Sequence, residues 1–386
     1  MSINLDNNAT TRPAPEVIAA ITECLESDWG NPSSAHRRGI GARRRVELAR
    51  DSVSALLGCE PSEVIFTSGG TEAGNLAVVG GFEQARSMNA RRTIVAAAAT
   101  EHPAIRDSIA ECARLGAEPR QLAVDRNGLV DLDALEHFLK AEGDRCALIS
   151  VMWANNETGV IQPIERIGAL CRDAGVLLHT DAVQWVGRMP CAFATLPIDL
   201  LSCSAHKFHG PKGAGALVIR RGVRVTPRSL GGSQERERRG GTENVPAIAG
   251  MGVACELART WLKLDAIEQM AALRDSLEQG LEEALGHMVV HGRDVPRLWN
   301  TSNIAFPGTE SQLMVVVLSE RGLAVSGGAA CASGSIQPSG VLLAMGLDPE
   351  LAGSSLRLSL NRSSTPEMIQ SATEILTSAL RAAQET

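Results

Sequence analysis

An α/β fold, with a mostly parallel sheet covered on both faces by helices and a smaller α+β unit appended, is what the sequence predicts. Three observations lead there. The chain has 386 residues, more than one hydrophobic core accommodates. From about residue 15 to 220, short apolar runs alternate with helical patterns. After about residue 245 that alternation gives way to long helices, a few strands and a closing helix.

Residues 16–27 place Val17, Ile18, Ile21 and Leu25 on one helical face. Strands are expected at 63–67 (EVIFT), 93–97 (TIVAA), 146–152 (CALISVM), 176–180 (VLLHT), 200–204 and 215–220. Helical patterns fall between them, as at 132–140 and 163–171. Long helices follow at 248–262 and 267–285. The last helix starts with Thr365 as N-cap and Pro366 at its first position, burying Met368, Ile369, Ile375 and Leu376. Residues 15–260 are expected to form the large unit, and residues 1–14 together with 261–386 the small one.

The formal net charge of −7 excludes a general binder of nucleic acid or membrane surfaces, which needs a broad basic field. The arginine clusters at 43–45 and 236–239 are mixed with or flanked by Glu and read as solvated faces. No apolar run approaches the ~18 residues of a membrane span, and no secretory pattern opens the chain, so a cytoplasmic address is expected. Nine cysteines without a CxxC pair suggest neither a disulfide framework nor a metal site. Most, such as Cys146 and Cys255, sit in apolar runs and read as small buried hydrophobes.

Four clusters stand just past predicted strands, where open α/β sheets bind ligands. Ser68-Gly69-Gly70-Thr71-Glu72 would offer backbone N–H groups and a hydroxyl to an anion, or be a plain βα turn. It lacks the closing Gly-Lys-Ser/Thr of a Walker loop. Asp181, after an apolar strand, is a carboxylate in need of a cation such as a protonated pyridine nitrogen, or a helix cap. Lys207, between His206 and Phe208 at a strand end, is placed for the partial desolvation that Schiff-base chemistry needs; a surface loop lysine is the blander reading. Cys331, in the run Ser326-Gly327-Gly328-Ala329-Ala330-Cys331-Ala332-Ser333-Gly334-Ser335, has neighbours too small to bury it, and reads as reactive or incidental. A phosphate cradle, an aspartate for a ring nitrogen and an anchoring lysine together compose a site for pyridoxal 5'-phosphate.

The sequence resembles the class V aminotransferase family, specifically NifS/IscS-type cysteine desulfurases. The resemblance runs through LDNNATT (5–11), GNPSS (30–34), FTSGGTE (66–72), TEHPA (100–104), MWANNETG (152–159), HTDAVQ (179–184), SAHKFHGPKG (204–213), RRGGTEN (238–244), GGAACASGS (327–335) and RLSLNR (357–362). It implies the fold of type I PLP transferases and the conversion of L-cysteine to L-alanine, with the sulfur kept as a persulfide on Cys331. By the same resemblance, Lys207 anchors the cofactor and moves the Cα proton, while His102 stacks on its ring and shuttles protons. Asp181 pairs with the ring nitrogen; Gln184 and Asn156 bond the ring oxygen. Gly70, Thr71, Ser204 and His206 hold the phosphate, joined by Thr242 from a second subunit of a homodimer. Asn31 and Arg357 clamp the substrate carboxylate, and a sulfur-acceptor or iron–sulfur scaffold protein takes the sulfur onward.

The chain departs from the family's usual SSGSACTSGS loop at Gly327, Ala329 and Ala332, which predicts a looser loop. Tyrosine is absent, so His102 has no tyrosine rival for the ring face. Rival readings are a selenocysteine lyase, an aminotransferase and a catalytically silent scaffold for sulfur carriers. An aminotransferase has no use for the Cys331 thiol. Iron–sulfur assembly, nitrogenase maturation, tRNA thiolation and DNA phosphorothioation are all open destinations for the sulfur.

Overall fold

The computed structural model describes residues 2–264, 266–327 and 338–384. The strands are β1 (Ile3–Asn4), β2 (Val64–Thr67), β3 (Ile94–Ala98), β4 (Glu118–Leu122), β5 (Cys146–Ser150), β6 (Leu177–Asp181), β7 (Leu200–Ser204), β8 (Gly215–Ile219), β9 (Val289–Val290), β10 (Thr301–Ala305), β11 (Leu323–Ala324) and β12 (Ser355–Ser359). The long helices up to residue 285 are α1 (Pro15–Ser27), α2 (Arg37–Leu57), α3 (Gly70–Met88), α4 (Pro103–Arg114), α5 (Leu132–Glu142), α6 (Ile164–Asp173), α7 (Val245–Trp261) and α8 (Ala266–Leu285).

The main sheet has the order β2-β8-β7-β6-β5-β3-β4. Neighbours from β7 through β4 run parallel, whereas β8 is antiparallel to both β2 and β7. Both sheet faces are covered, which is why its strands are near-continuous apolar runs. Alternate residues serve opposite cores: Val64, Phe66, Ile149, Leu201 and Val218 point into one, and Ile65, Leu148, Leu200 and Leu217 into the other. A third core joins Ile3 and Leu5 to Leu277, Leu356 and Leu376. There the antiparallel sheet β12-β10-β9 lies, and β1 pairs in parallel with β11. The predicted cap of the closing helix is present: Thr365 Oγ1 accepts from the Met368 amide at 3.3 Å, and Ile369 and Leu376 are buried.

Several sequence expectations need correction. The face expected of α1 is rotated: Val17 and Cys24 are buried, but Ile18 and Leu25 remain 50% and 59% exposed. The helix packs on α7, and that neighbour, not periodicity, selects the buried stripe. Helix α2 and strand β4 were not expected. β4 (EPRQL) is polar because it is the sheet's edge, where alternate side chains meet solvent and Pro119 forfeits no ladder bond to a further strand. Nor is the second arginine cluster simply a solvated face. Arg239 Nε pairs with Glu72 at 2.7 Å, and Arg238 carries a buried Nη1.

Glu235, between those arginines and β2, is buried and holds φ at 46°, with Arg236 and Glu237 also at positive φ. Its carboxylate accepts two bonds from Arg50, at 2.9 and 2.7 Å, and one from the Phe66 amide at 2.8 Å. Arg50 in turn donates to the Val64 carbonyl at 2.8 Å. The pair plugs the free edge of β2, which otherwise would present unpaired backbone groups. Removing one partner leaves a buried charge, so Glu235→Ala is expected to cost about 3–5 kcal/mol. Denaturant unfolding of the variant beside wild type measures this; a loss below about 1 kcal/mol contradicts it.

Candidate active site

A cavity of about 310 Å³ opens where β6 and β7 end and α3 begins, at the carboxyl ends of the parallel strands. Its walls include Gly70, Thr71, His102, Asn156, Asp181, Gln184, Ser204, His206, Lys207 and Arg357. The structure thus brings together ten positions that the sequence scattered over nearly 290 residues, between 70 and 357.

The cradle follows from β2. The chain leaves the strand at Thr67 and starts α3 at Gly70, so the first turn's unpaired N–H groups face the cavity's end. A Cβ on Gly70 would lie 2.6 Å from Val183 Cγ2, so only glycine lets this turn approach the 182–184 segment. Ser204, at the end of β7, and His206 line the same cavity, and a Cβ on Gly70 would lie 3.7 Å from Ser204 Cβ. His206 Nδ1 lies 3.2 Å from Thr10 Oγ1, and burial, then Lys207 and Lys212, pushes its pKa down to about 4. It is therefore a neutral hydrogen-bonding group at physiological pH.

Asp181 closes β6 at the cavity floor. Its Oδ1 accepts from the Val183 amide at 2.9 Å, so it is a turn cap and a buried acid at once. Burial lifts its pKa to about 6, while the Val183 bond and Lys207 oppose the rise. A cationic ring nitrogen beside it would restore full ionisation. Glu101, wholly buried nearby, accepts from the Met152 amide at 2.6 Å and has a second oxygen with no hydrogen-bond partner among the described residues. Burial and the Asp181 charge hold its carboxyl well above the usual range.

Lys207 ends a single 3-10 turn after β7. Its Nζ donates to the carbonyls of Asn8 at 2.6 Å and Ala9 at 2.9 Å. Burial, then the charges of Arg188 and Arg357, lowers its pKa to about 7, against the pull of Asp181 and Asp6. The free amine is thus a major species at neutral pH, the form that condenses with a carbonyl. His102 caps α4 by accepting from the Ala104 amide through Nδ1 at 3.1 Å. Surrounding protein, then Lys207 and Arg106, lowers its pKa, and its ring is left as a neutral wall.

Arg357, on β12, reaches the cavity from the third core. Its Nη2 donates to Asp6 at 2.7 Å, Nη1 to the Asn156 carbonyl at 3.1 Å, and its buried Nε has no hydrogen-bond partner among the described residues. Gln184 accepts from Arg188 Nη1 through Oε1 and donates from Nε2 to the Asn8 carbonyl at 3.1 Å.

Two expected residues lie elsewhere. Asn31 is exposed, outside these walls, with its side-chain oxygen accepting from the Ser33 amide at 2.9 Å. Thr242 is exposed just after the bend at Gly241, before α7, and is not among the residues that line its own chain's cavity. Cys331 lies outside the described residues. Sequence reasoning gave no role to Asp6, Asn8 and Ala9, although they belong to the quoted LDNNATT motif, or to Arg188. Only folding brings that N-terminal segment onto Lys207.

The Aminotransferase class-V family matches residues 3–371. Cysteine desulfurase 2 of Trichormus variabilis is 44% identical over 374 residues, 97% of this chain and 92% of that relative. Cysteine desulfurase NifS of Azotobacter vinelandii is 42% identical over 368 residues, 95% of this chain and 90% of that relative. A solved NifS-like protein superposes with a TM-score of 0.90 at 34% identity, over 99% of this chain and all of the other. With the lysine, aspartate and anion cradle of its cavity, the chain belongs to the class-V aminotransferase family and, within it, to the NifS/IscS-type cysteine desulfurases, which are pyridoxal-phosphate enzymes.

Proposed function

We propose that desulfuration of L-cysteine takes place in the cavity around Lys207, with Cys331 receiving the sulfur and L-alanine leaving. The observation that carries this is the shared cavity: the Lys207 amine, the Asp181 carboxylate and the α3 amino terminus line one space of about 310 Å³. That donor set matches a molecule bearing an aldehyde, a basic ring nitrogen and a phosphate. Pyridoxal phosphate, when bound, supplies an electron sink for bonds broken at the substrate's α and β carbons.

The chain's own residues do the rest. Gly70 and Thr71 amides, with Ser204 and His206, hold the phosphate; Asp181 holds the ring nitrogen; His102 covers the ring. Asn156 and Gln184 reach the ring oxygen. Lys207 anchors the cofactor and then carries the Cα proton. Arg357 takes the substrate carboxylate through donors now spent on Asp6 and Asn156, or through Nε, which has no partner among the described residues; Asn31 is the second clamp. The Cys331 thiolate attacks the substrate's sulfur, the carbon–sulfur bond breaks toward carbon, and protonation there yields alanine while the sulfur stays on Cys331 as a persulfide. Borohydride treatment of the yellow protein followed by peptide mapping is expected to fix the cofactor on Lys207. Label on any other lysine overturns the assignment.

The enzyme is a homodimer in this reading, with Thr242 contributing to the partner's phosphate site. Support comes from the exposure of Thr242 and of Ile18, Leu25, Trp29, Ile40 and Leu48, an apolar set unusual for a free surface. Sedimentation is expected to give a dimer, and Thr242→Ala to weaken cofactor retention about tenfold, the worth of one charge-assisted bond. A stable monomer with full cofactor occupancy contradicts both. A large unit of 15–260 and a small one of 1–14 with 261–386 is supported by the separate core around Leu277 and Leu356. The acceptor is a sulfur-carrying or iron–sulfur scaffold protein. Among the described residues no helix is long and apolar enough to cross a membrane. We place the enzyme in the cytoplasm on its composition.

A further inference from the structure

Arg188 is a buried cation, only 4% exposed, and among the described residues no carboxylate pairs with it. A guanidinium taken out of water without a counter-ion is costly, so its neighbours must hold it in place. Its four hydrogen bonds among the described residues end on neutral oxygens. Nη1 donates to Gln184 Oε1 and to the Gln184 carbonyl at 3.4 Å. Nη2 donates to the carbonyls of Asn7 and Lys207, both at 3.3 Å. Its own carbonyl accepts from Trp299 Nε1 at 2.9 Å.

The backbone puts Arg188 there deliberately. Gly187 holds φ at 78°, and a Cβ on it would lie 2.5 Å from Phe208 Cβ, so the 182–188 turn can press against the Lys207–Phe208 segment only with glycine at this point. The turn leaves the end of β6 carrying Asp181 and Gln184, and the guanidinium closes behind them onto the Lys207 carbonyl.

We propose that Arg188 is a positioning residue for the desulfurase reaction: it fixes which end of the Gln184 amide faces the cavity and sets a fixed positive charge behind Lys207. The inference rests on the reading of Lys207 and Gln184 as cofactor residues. Arginine has donors only, so the Gln184 atom it grips must be the amide oxygen. The amide nitrogen is then the end turned away from Arg188, with an N–H on the Asn8 carbonyl at 3.1 Å, the same oxygen that Lys207 Nζ meets at 2.6 Å. A glutamine held so can donate to an anionic ring oxygen and cannot accept from a protonated one. The charge acts on the same cavity, where Lys207 also meets Arg357, Asp181 and Asp6, and where His102 and His206 both respond to Lys207. Arg357 is the charged group that bears on Arg188 itself, and burial with that like charge lowers the Arg188 pKa to about 9.

The test is a visible-absorbance pH titration of the holoenzyme, with cofactor dissociation measured alongside, for Arg188→Gln and Arg188→Lys. Arg188→Gln removes the charge, and the spectral midpoint is expected to rise by about one pH unit, with dissociation about tenfold faster. Arg188→Lys loses the grip, because one ammonium cannot span Gln184 and the Asn7 and Lys207 carbonyls, so dissociation quickens about tenfold. A wild-type midpoint in Arg188→Gln overturns the charge role; wild-type retention in Arg188→Lys overturns the grip. Should Arg188→Gln fail to fold, Arg188→Met removes the same charge, and a wild-type midpoint there overturns the charge role. Failure of the underlying reading looks different: the borohydride label then appears away from Lys207 in the unsubstituted enzyme.

Discussion

Cys331→Ser is expected to bind pyridoxal phosphate and cysteine with unchanged spectra while persulfide and alanine formation fall to background, a loss of at least about a thousandfold. The described walls of the cavity carry Lys207, Asp181 and the α3 amino terminus, and exchanging one sulfur atom for oxygen at residue 331 changes none of those side chains. A serine hydroxyl stays protonated where a thiol is partly thiolate, and it is a poor nucleophile toward divalent sulfur. The other eight cysteines offer no substitute. Burial pushes the thiols of Cys112, Cys146, Cys191 and Cys203 up to about 12, and those of Cys24, Cys59, Cys171 and Cys255 upward as well. They remain protonated and mostly inaccessible; a serine at Cys203 costs only stability, about 1–3 kcal/mol for a buried hydroxyl without a partner. Mass spectrometry of cysteine-treated enzyme reads the result. A persulfide mapped to any of those eight, with wild-type alanine production in Cys331→Ser, sinks the mechanism.

Lys207→Ala should remove the covalent cofactor linkage and all measurable turnover, since no second amine lines the cavity among the described residues. The phosphate cradle and Asp181 are untouched by it, so the variant still binds cofactor, but denaturation or gel filtration releases it. Retention of a borohydride-fixed cofactor would falsify the assignment. The cofactor-free protein carries a second signature. Lys207 has its folded pKa lowered from 10.5 to about 7, so between those values the unfolded chain binds more protons than the folded one. Stability contributed by this group therefore rises with pH across that window and is at its poorest below pH 7. Lys207→Ala flattens the rise. A wild-type stability–pH slope between pH 7 and 10 in the variant contradicts the depressed pKa.

Strand existence and type were legible from 63 to 220 because a sheet buried on both faces demands continuous apolar runs, and such runs survive in sequence as a local pattern. The edge strand β4 and helix α2 were not legible. The first trades apolar residues for charge because one side meets solvent, and α2 is strongly basic along its first half. The rotation of α1, which exposes Ile18 and Leu25, was likewise set by α7 and not by its own periodicity.

For the site, the sequence by itself determined the chemistry. Asp181, Lys207 and the Gly70–Thr71 turn each follow an apolar strand, and strand ends in an open α/β sheet converge. Motif likeness carried Arg357 and His102, and both line the cavity. Only the tertiary structure decided how the charges are balanced. The carbonyls of Asn8 and Ala9 on the Lys207 amine, Asp6 on Arg357, and Arg188 behind Gln184 come from segments up to about 350 residues apart. No local pattern encodes such contacts, because a hydrogen bond across the core depends on where the packing of separate hydrophobic cores brings the backbone, and that is a property of the whole chain.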